Sequence, residues 1–183
     1  MDARNYRVLE TLRDGSVIEI RALRPDDRDG MRSALLRMSP ESIVRRFFAP
    51  RRSFSQQEVS TFMDIDFDRH VALVATLPGD QRPLIVGGGR YVMTSPGAAE
   101  VAFAMDDAFQ HRGLGSLLLK HLVLIAREKG VREFVAEMLP ENTAMLGLLR
   151  KSGLDLRTER DHGLIRARAL FPSSTASTAK PHD

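Results

Sequence analysis

The chain has 183 residues, the size of one ordinary domain, and no cysteine, which excludes a thiol nucleophile, a zinc ribbon and a disulfide framework. Hydrophobic residues at 43% and charged residues at 28% place it in the soluble globular class; no apolar run approaches a membrane span and no signal core follows Met1, so a cytoplasmic protein without membrane contact is expected. A net charge of +3 suits a polyanionic cofactor or an acidic partner, and is too small and too dispersed to argue for nucleic acid.

In chain order, residues 17–23 read as a first strand after an Asp14-Gly15 turn. Pro25-Asp26-Asp27 opens a helix running to about Met38, since Pro and acids suit a first turn. Ser39-Pro40-Glu41 starts a short helix, and Ser55-Gln56-Gln57-Glu58 has the form of a capping box for a third. The charge cluster Arg45-Arg46 with Arg51-Arg52 reads as solvated surface. Residues 71–77 form a strongly apolar strand, Pro78-Gly79-Asp80 a turn and residues 83–93 the next strand. Gly87-Gly88-Gly89 within it marks a bulge rather than a phosphate cradle. Glu100 opens a further strand to Met105. Residues 113–129 make a long helix, apolar around most of its circumference and closed by Gly130. A strand over 133–138, a helix over 142–152 and a strand over 163–170 follow. Three successive strands require antiparallel pairing, so a mixed α/β (α+β) domain around one sheet is expected. It spans residues 1–171, with a disordered tail over 172–183.

Gln110-His111-Arg112-Gly113-Leu114-Gly115-Ser116 stands between a strand and the long apolar helix. Glycines there let backbone approach a ligand, and the free N–H groups of a helix start, with its dipole, attract an anion such as a diphosphate. Arg112 adds charge, and His111 either touches phosphate or lies at the surface. A P-loop would need Lys before Ser116, and a dinucleotide fingerprint would need glycine at Leu118. The remaining pattern, Gln/Arg-x-x-Gly-x-Gly/Ala, is matched by Gln110, Gly113 and Gly115; a helix start with chance glycines is the alternative.

With this pattern, and with an Asn-led segment from Asn142 to Gly153-Leu154, the chain resembles the GNAT superfamily of N-acetyltransferases over roughly residues 16–170. Leu23-Arg24-Pro25-Asp26-Asp27, Ser39-Pro40-Glu41-Ser42, Arg46-Phe47-Phe48-Ala49-Pro50-Arg51-Arg52 and the segment from Asp66 to Ala75 are similar, in the same order, to the acetyltransferase domain of bacterial Pat-type protein lysine acetyltransferases. The resemblance implies a mostly antiparallel central sheet flanked by helices, and acetyl-CoA as cofactor. It implies an acceptor that is a protein lysine, for instance on an acyl-CoA synthetase. A small amine is the alternative acceptor, and a non-catalytic acyl-CoA sensor the alternative function. It also implies cofactor contacts at Ala104, Met105, Asp106, Gln110, His111, Arg112, Gly113, Leu114, Gly115, Ser116 and Asn142. The chain would act as a monomer or homodimer.

The chemistry calls for a base, because a free lysine of pKa about 10.4 is neutral in only about one molecule in 10³ at pH 7. Glu100 is the candidate. Strand alternation sets it on one face with Ala102 and Ala104, and it occupies the place of the family's catalytic Glu. The family's usual Tyr acid falls at Leu149 here. A thiol of pKa about 8.5 is a tolerable leaving group without it. The absence of cysteine implies direct transfer in a ternary complex, with backbone N–H groups steadying the oxyanion. The histidines, among them His70, His111, His121 and His162, show no metal-ligand spacing, so no metal is expected. Asp66 and Asp68 either line the acceptor entrance or cap a loop.

Overall fold

The computed structural model describes residues 1–78 and 83–172. Its strands are β1 (Arg7–Thr11), β2 (Val17–Ala22), β3 (His70–Leu77), β4 (Leu84–Ser95), β5 (Ala98–Met105), β6 (Glu133–Met138), β7 (Asp155–Asp161) and β8 (Leu164–Leu170). Its helices are α1 (Arg28–Arg37), α2 (Pro40–Phe47), α3 (Gln56–Met63), α4 (Leu114–Glu128) and α5 (Thr143–Arg150). The strands form one sheet in the order β1-β2-β3-β4-β5-β6-β8-β7. Every pairing is antiparallel except β5 with β6. The mixed, mostly antiparallel sheet flanked by helices is therefore as expected.

Alternation along β3 divides the interior. Val71, Leu73 and Ala75 join the core beneath α4, with Leu118, Leu122 and Ile125. Ala72 and Val74 face the other way, with Leu23 and Ile85, toward α1. A strand buried on both faces reads as the continuous apolar run seen in the sequence. Each fully buried Leu or Ile of α4 contributes about 1.5–3 kcal/mol. Among the described residues no helix is long and apolar enough to cross a membrane.

Two strands escaped the sequence reading. β1 alternates exposed and half-buried residues at the sheet edge. β7 (Asp-Leu-Arg-Thr-Glu-Arg-Asp) is a charged outer strand with no buried residue. Charges protect an edge from pairing with another chain and also erase its apolar signature. The first helix is also shorter than expected. Pro25–Asp27 is a 3-10 turn and α1 begins at Arg28, because both Asp27 oxygens accept from buried Arg21 at 2.7 Å and one also accepts the Arg24 N–H. The strand that Glu100 was expected to open starts at Ala98. Gly79 and Asp80 of the expected turn, and the tail from Ser173, lie outside the described residues.

The glycine run does accompany a bulge: Ala75 pairs with Gly87 and Thr76 with Ile85, skipping Val86. The glycines also admit the core. A Cβ on Gly89 would lie 2.8 Å from the Phe103 ring and 2.9 Å from Leu122. Gly89→Ala is expected to cost about 1–3 kcal/mol by overpacking, read as a lowered denaturation midpoint. No change would mean that α4 can move outward freely.

α4 also carries a partly buried polar chain centred on His121. The Tyr6 hydroxyl meets His121 Nδ1, and His121 Nε2 lies 2.8 Å from a Glu10 oxygen that also accepts from Lys120 at 3.0 Å. Burial holds the His121 pKa below its ordinary 6.5, and the Lys120 hydrogen bond holds Glu10 below 4.5. A pKa depressed by folding gives stability that is present above the unfolded value and lost as pH falls toward the folded one. Burial depresses His70 in the same sense. The melting temperature is therefore expected to fall from pH 7.5 to 5.5, and His121→Gln to flatten that slope. An identical slope in the variant would remove His121 as a contributor.

Candidate active site

The site is made by strands parting. β5 and β6 run parallel and pair only at Ala98 with Glu133, Ala99 with Phe134 and Glu100 with Val135. Beyond Glu100, β5 stays paired with β4 as far as Met105, while β6 pairs only with β8. The other edge of residues 101–105 is thus left with backbone groups that need a partner. A cleft of about 580 Å³ opens there, lined by Glu100, Val101, Ala102, Phe103, Ala104 and Met105 on one wall, the start of α4 on another and the start of α5 on a third.

Val101 belongs to the core beneath α4, with Phe103 and Met105 packed against it. Alternation leaves Glu100, Ala102 and Ala104 on the opposite face. Glu100 is exposed and stands at the last rung before the strands part. It is a carboxylate over a floor of two methyl groups, beside backbone that can accept an extended ligand.

The glycine turn closes the cleft's far side. His111 and Gly113 adopt left-handed φ of 62° and 92°, and Gly113 caps α4. The first intrahelical bond runs from the Leu117 N–H to the Gly113 carbonyl at 3.2 Å. The N–H groups of Leu114, Gly115 and Ser116 precede it and are free for an anion. Arg13, Arg45 and Lys151 also line the cleft and give it a cationic rim, which the sequence reading missed. Arg13 reaches it because its N–H donates to the Arg112 carbonyl at 3.1 Å; nothing in the local sequence of Arg13 announces that contact. Glu137, a second carboxylate of the cleft, was missed for the same reason.

The expected cofactor residues divide. Ala104, Met105, Gln110, His111, Gly113, Leu114, Gly115, Ser116 and Asn142 line the cleft; Asp106 and Arg112 stand outside its walls. Asp106 is held by Arg37 at 2.9 Å, and its N–H donates to Val86 at 3.0 Å. Arg112 pairs with Asp14 at 2.9 Å and stacks over Phe109 at 5.0 Å. The Gln110 amide donates to Ser42 at 3.0 Å and Asp107 at 3.1 Å, so its side chain ties the turn to α2. The Asn142 oxygen caps α5 through the Met145 N–H at 3.1 Å. Asp66 caps its loop, accepting from the N–H groups of Asp68, Arg69 and His70.

No tyrosine reaches the cleft. Leu149 is 1% exposed in the core, Tyr91 is fully buried and Tyr6 is engaged by His121. The charge cluster read as solvated surface is only partly so: Arg46 is half-buried, because α2 lays its last turn against β5. Among the described residues no group of His, Asp and Glu is set to hold a metal.

The acetyltransferase (GNAT) domain family matches residues 18–155. An acetyltransferase of Pseudomonas aeruginosa is 33% identical over 141 residues, 76% of each chain. Acetyltransferase Pat of Mycolicibacterium smegmatis is 30% identical over 78% of this chain, which spans 42% of that longer protein. The crystal structure of the GNAT domain of Streptomyces lividans PAT superposes with a TM-score of 0.82 at 34% identity, covering 90% of this chain and 97% of that domain.

Proposed function

From the premise that the chain belongs to the GNAT acetyltransferase family, and is therefore an N-acyltransferase, we propose that it transfers acetyl from acetyl-CoA to lysine side chains of proteins, with Glu100 as base. The observation that carries this reading is the parting of β5 from β6 at Glu100. It brings a carboxylate, an unpaired strand edge and a helix start into one cleft.

The residues fit acetyl-CoA. The free N–H groups of Leu114, Gly115 and Ser116, with Arg13 nearby, suit a diphosphate; the open edge of residues 101–105 suits an amide-bearing extended arm; Arg45 and Lys151 suit a further phosphate. Bound there, acetyl-CoA supplies an acyl group activated as a thioester. Glu100 takes the proton that the acceptor's ammonium must lose before its nitrogen, now a neutral amine, attacks the thioester carbon. The free strand N–H groups steady the oxygen that gains charge. With no tyrosine in the cleft, the sulfur leaves as thiolate or takes its proton from water, which a thiol pKa of about 8.5 permits. With no cysteine in the chain, transfer is direct. The protein-lysine acceptor is supported by similarity to two Pat proteins.

The test is incubation of the purified chain with labelled acetyl-CoA, an acyl-CoA synthetase and a panel of small amines. Label on the synthetase is expected. Label only on small amines would replace the acceptor, and cofactor binding without transfer would make the chain a sensor. Rapid quenching before turnover should recover no acylated enzyme; a stoichiometric burst would overturn direct transfer.

A further inference from the structure

Behind the wall formed by Ala102, Ala104 and Met105 lies a second cavity of about 50 Å³, which shares Met38 and Arg46 with the cleft. None of the residues of the glycine turn lines it. Two arginines do: Arg46 at the end of α2, and Arg90, which pairs with Ala102 across β4 and β5. Arg90 is partly satisfied. Its guanidinium donates to the Phe62 carbonyl at 3.2 Å and lies 5.4 Å from that ring. Arg46 lies 4.9 Å from the centroid of Phe47. Among the described residues the favourable charge acting on it, through space, is Glu100.

Two half-buried cations thus stand beside the reacting edge, with Glu100 in the adjoining cleft and Asp106 on the small cavity's own wall, where Arg37 already holds it at 2.9 Å. Burial lowers both guanidiniums from their ordinary value; for Arg90, burial and the charge of Arg46 together bring it to about 10. A half-buried cation without a hydrogen-bonding anion is costly, and an anionic ligand relieves that cost. The groups suited to the diphosphate, the N–H groups at the start of α4 with Arg13, Arg45 and Lys151, are absent from the small cavity. On the proposed reading, the acceptor's amine meets Glu100.

We infer that Arg46, backed by Arg90, is an anion subsite for the acceptor, so that the preferred amine carries a carboxylate near its reacting nitrogen; in a protein, a lysine with Asp or Glu beside it. The inference rests on Glu100 marking the acceptor end of the cleft. The same positive charge disfavours the ammonium form of the incoming amine and eases its deprotonation.

Two matched acceptor pairs test this with the full chain and acetyl-CoA: a lysine peptide flanked by Glu against its Gln counterpart, and free lysine against cadaverine, the same amine chain without the carboxylate. In the unaltered protein the acidic member is expected to have about tenfold or more higher kcat/KM, the worth of one charge-assisted hydrogen bond. Arg46→Gln should bring the ratio near one through acceptor KM, with acetyl-CoA KM moved less than twofold, and Arg46→Lys should keep part of the preference. Equal rates for both members in the unaltered protein, which needs no variant to fold, overturn the inference. So does an Arg46→Gln variant that raises acetyl-CoA KM and leaves the acceptor ratio intact. Inert peptides with an Arg46-dependent preference for lysine over cadaverine would end the protein-acceptor reading and uphold the subsite. Peptides acylated regardless of charge would do the reverse.

Discussion

Glu100→Gln is expected to lower kcat about 10²- to 10⁴-fold, the usual contribution of a positioned base, while leaving acetyl-CoA affinity within about twofold. The separation follows from geometry. Glu100 stands at the last rung between β5 and β6, whereas the groups suited to phosphate gather at the start of α4 and along the rim at Arg13, Arg45 and Lys151. Gln keeps the volume and a hydrogen-bonding oxygen, and loses the ability to take a proton. The residual activity should then depend on amine that is already neutral. A lysine pKa of about 10.4 makes that fraction rise about tenfold per pH unit, so the variant's rate should climb steadily from pH 7 to 9 while the unaltered enzyme climbs less. Steady-state kinetics across pH and calorimetric cofactor titration make the measurement. A loss below threefold would remove Glu100 as the base, and Glu137, the other carboxylate of the cleft, would be the next to substitute.

Gly113→Ala is expected to raise acetyl-CoA KM about tenfold or more and to lower kcat at saturation much less. Gly113 holds φ at 92° as the cap of α4, a conformation that costs an L-residue about 1–2 kcal/mol. Its Cβ would also stand 3.4 Å from the Arg13 side chain. Relaxing that strain re-aims the N–H groups of residues 114–116, on which the diphosphate reading depends. Gly153→Ala is the control. Gly153 has φ at 75° with nothing within 4 Å of an added Cβ, and it follows α5 without itself lining the cleft. It should lower the melting temperature comparably and leave acetyl-CoA KM unchanged. Gly115 contrasts with both: its Cβ would meet Met105 and Leu148 at 3.3 and 3.4 Å, without positive φ, so Ala is tolerated there far better. Equal cofactor affinity in Gly113→Ala and the unaltered protein would place the phosphates elsewhere.

Much of this site was legible because its parts are local. A glycine between a strand and a Leu-rich helix announces a positive φ and a helix start, and Gly113 supplies both. Alternation placed Glu100 with Ala102 and Ala104 on one face, and Val101 and its alternate neighbours pack into the core on the other. Local signals did not announce the distant partners that two side chains of the turn found. Arg112, expected to add charge at the phosphates, stands outside the cleft walls and pairs with Asp14, 98 positions earlier in the chain. Gln110, expected as a cofactor contact, lines the cleft and also donates to Ser42.

The sequence by itself determined most element types, the glycine turn and the place of the candidate base on its strand, since these rest on periodicity, backbone freedom and spacing within one or two elements; the family was legible through the resemblance of ordered segments across residues 16–170. Only the tertiary structure decided where β5 leaves β6, which arginines face the cleft and which are neutralised, and that β1 and β7 complete the sheet. The physical reason is range. An edge strand gains its stability from a neighbour rather than from its own apolar pattern, and a charged side chain gains its role from whichever partner folding brings within about 4 Å.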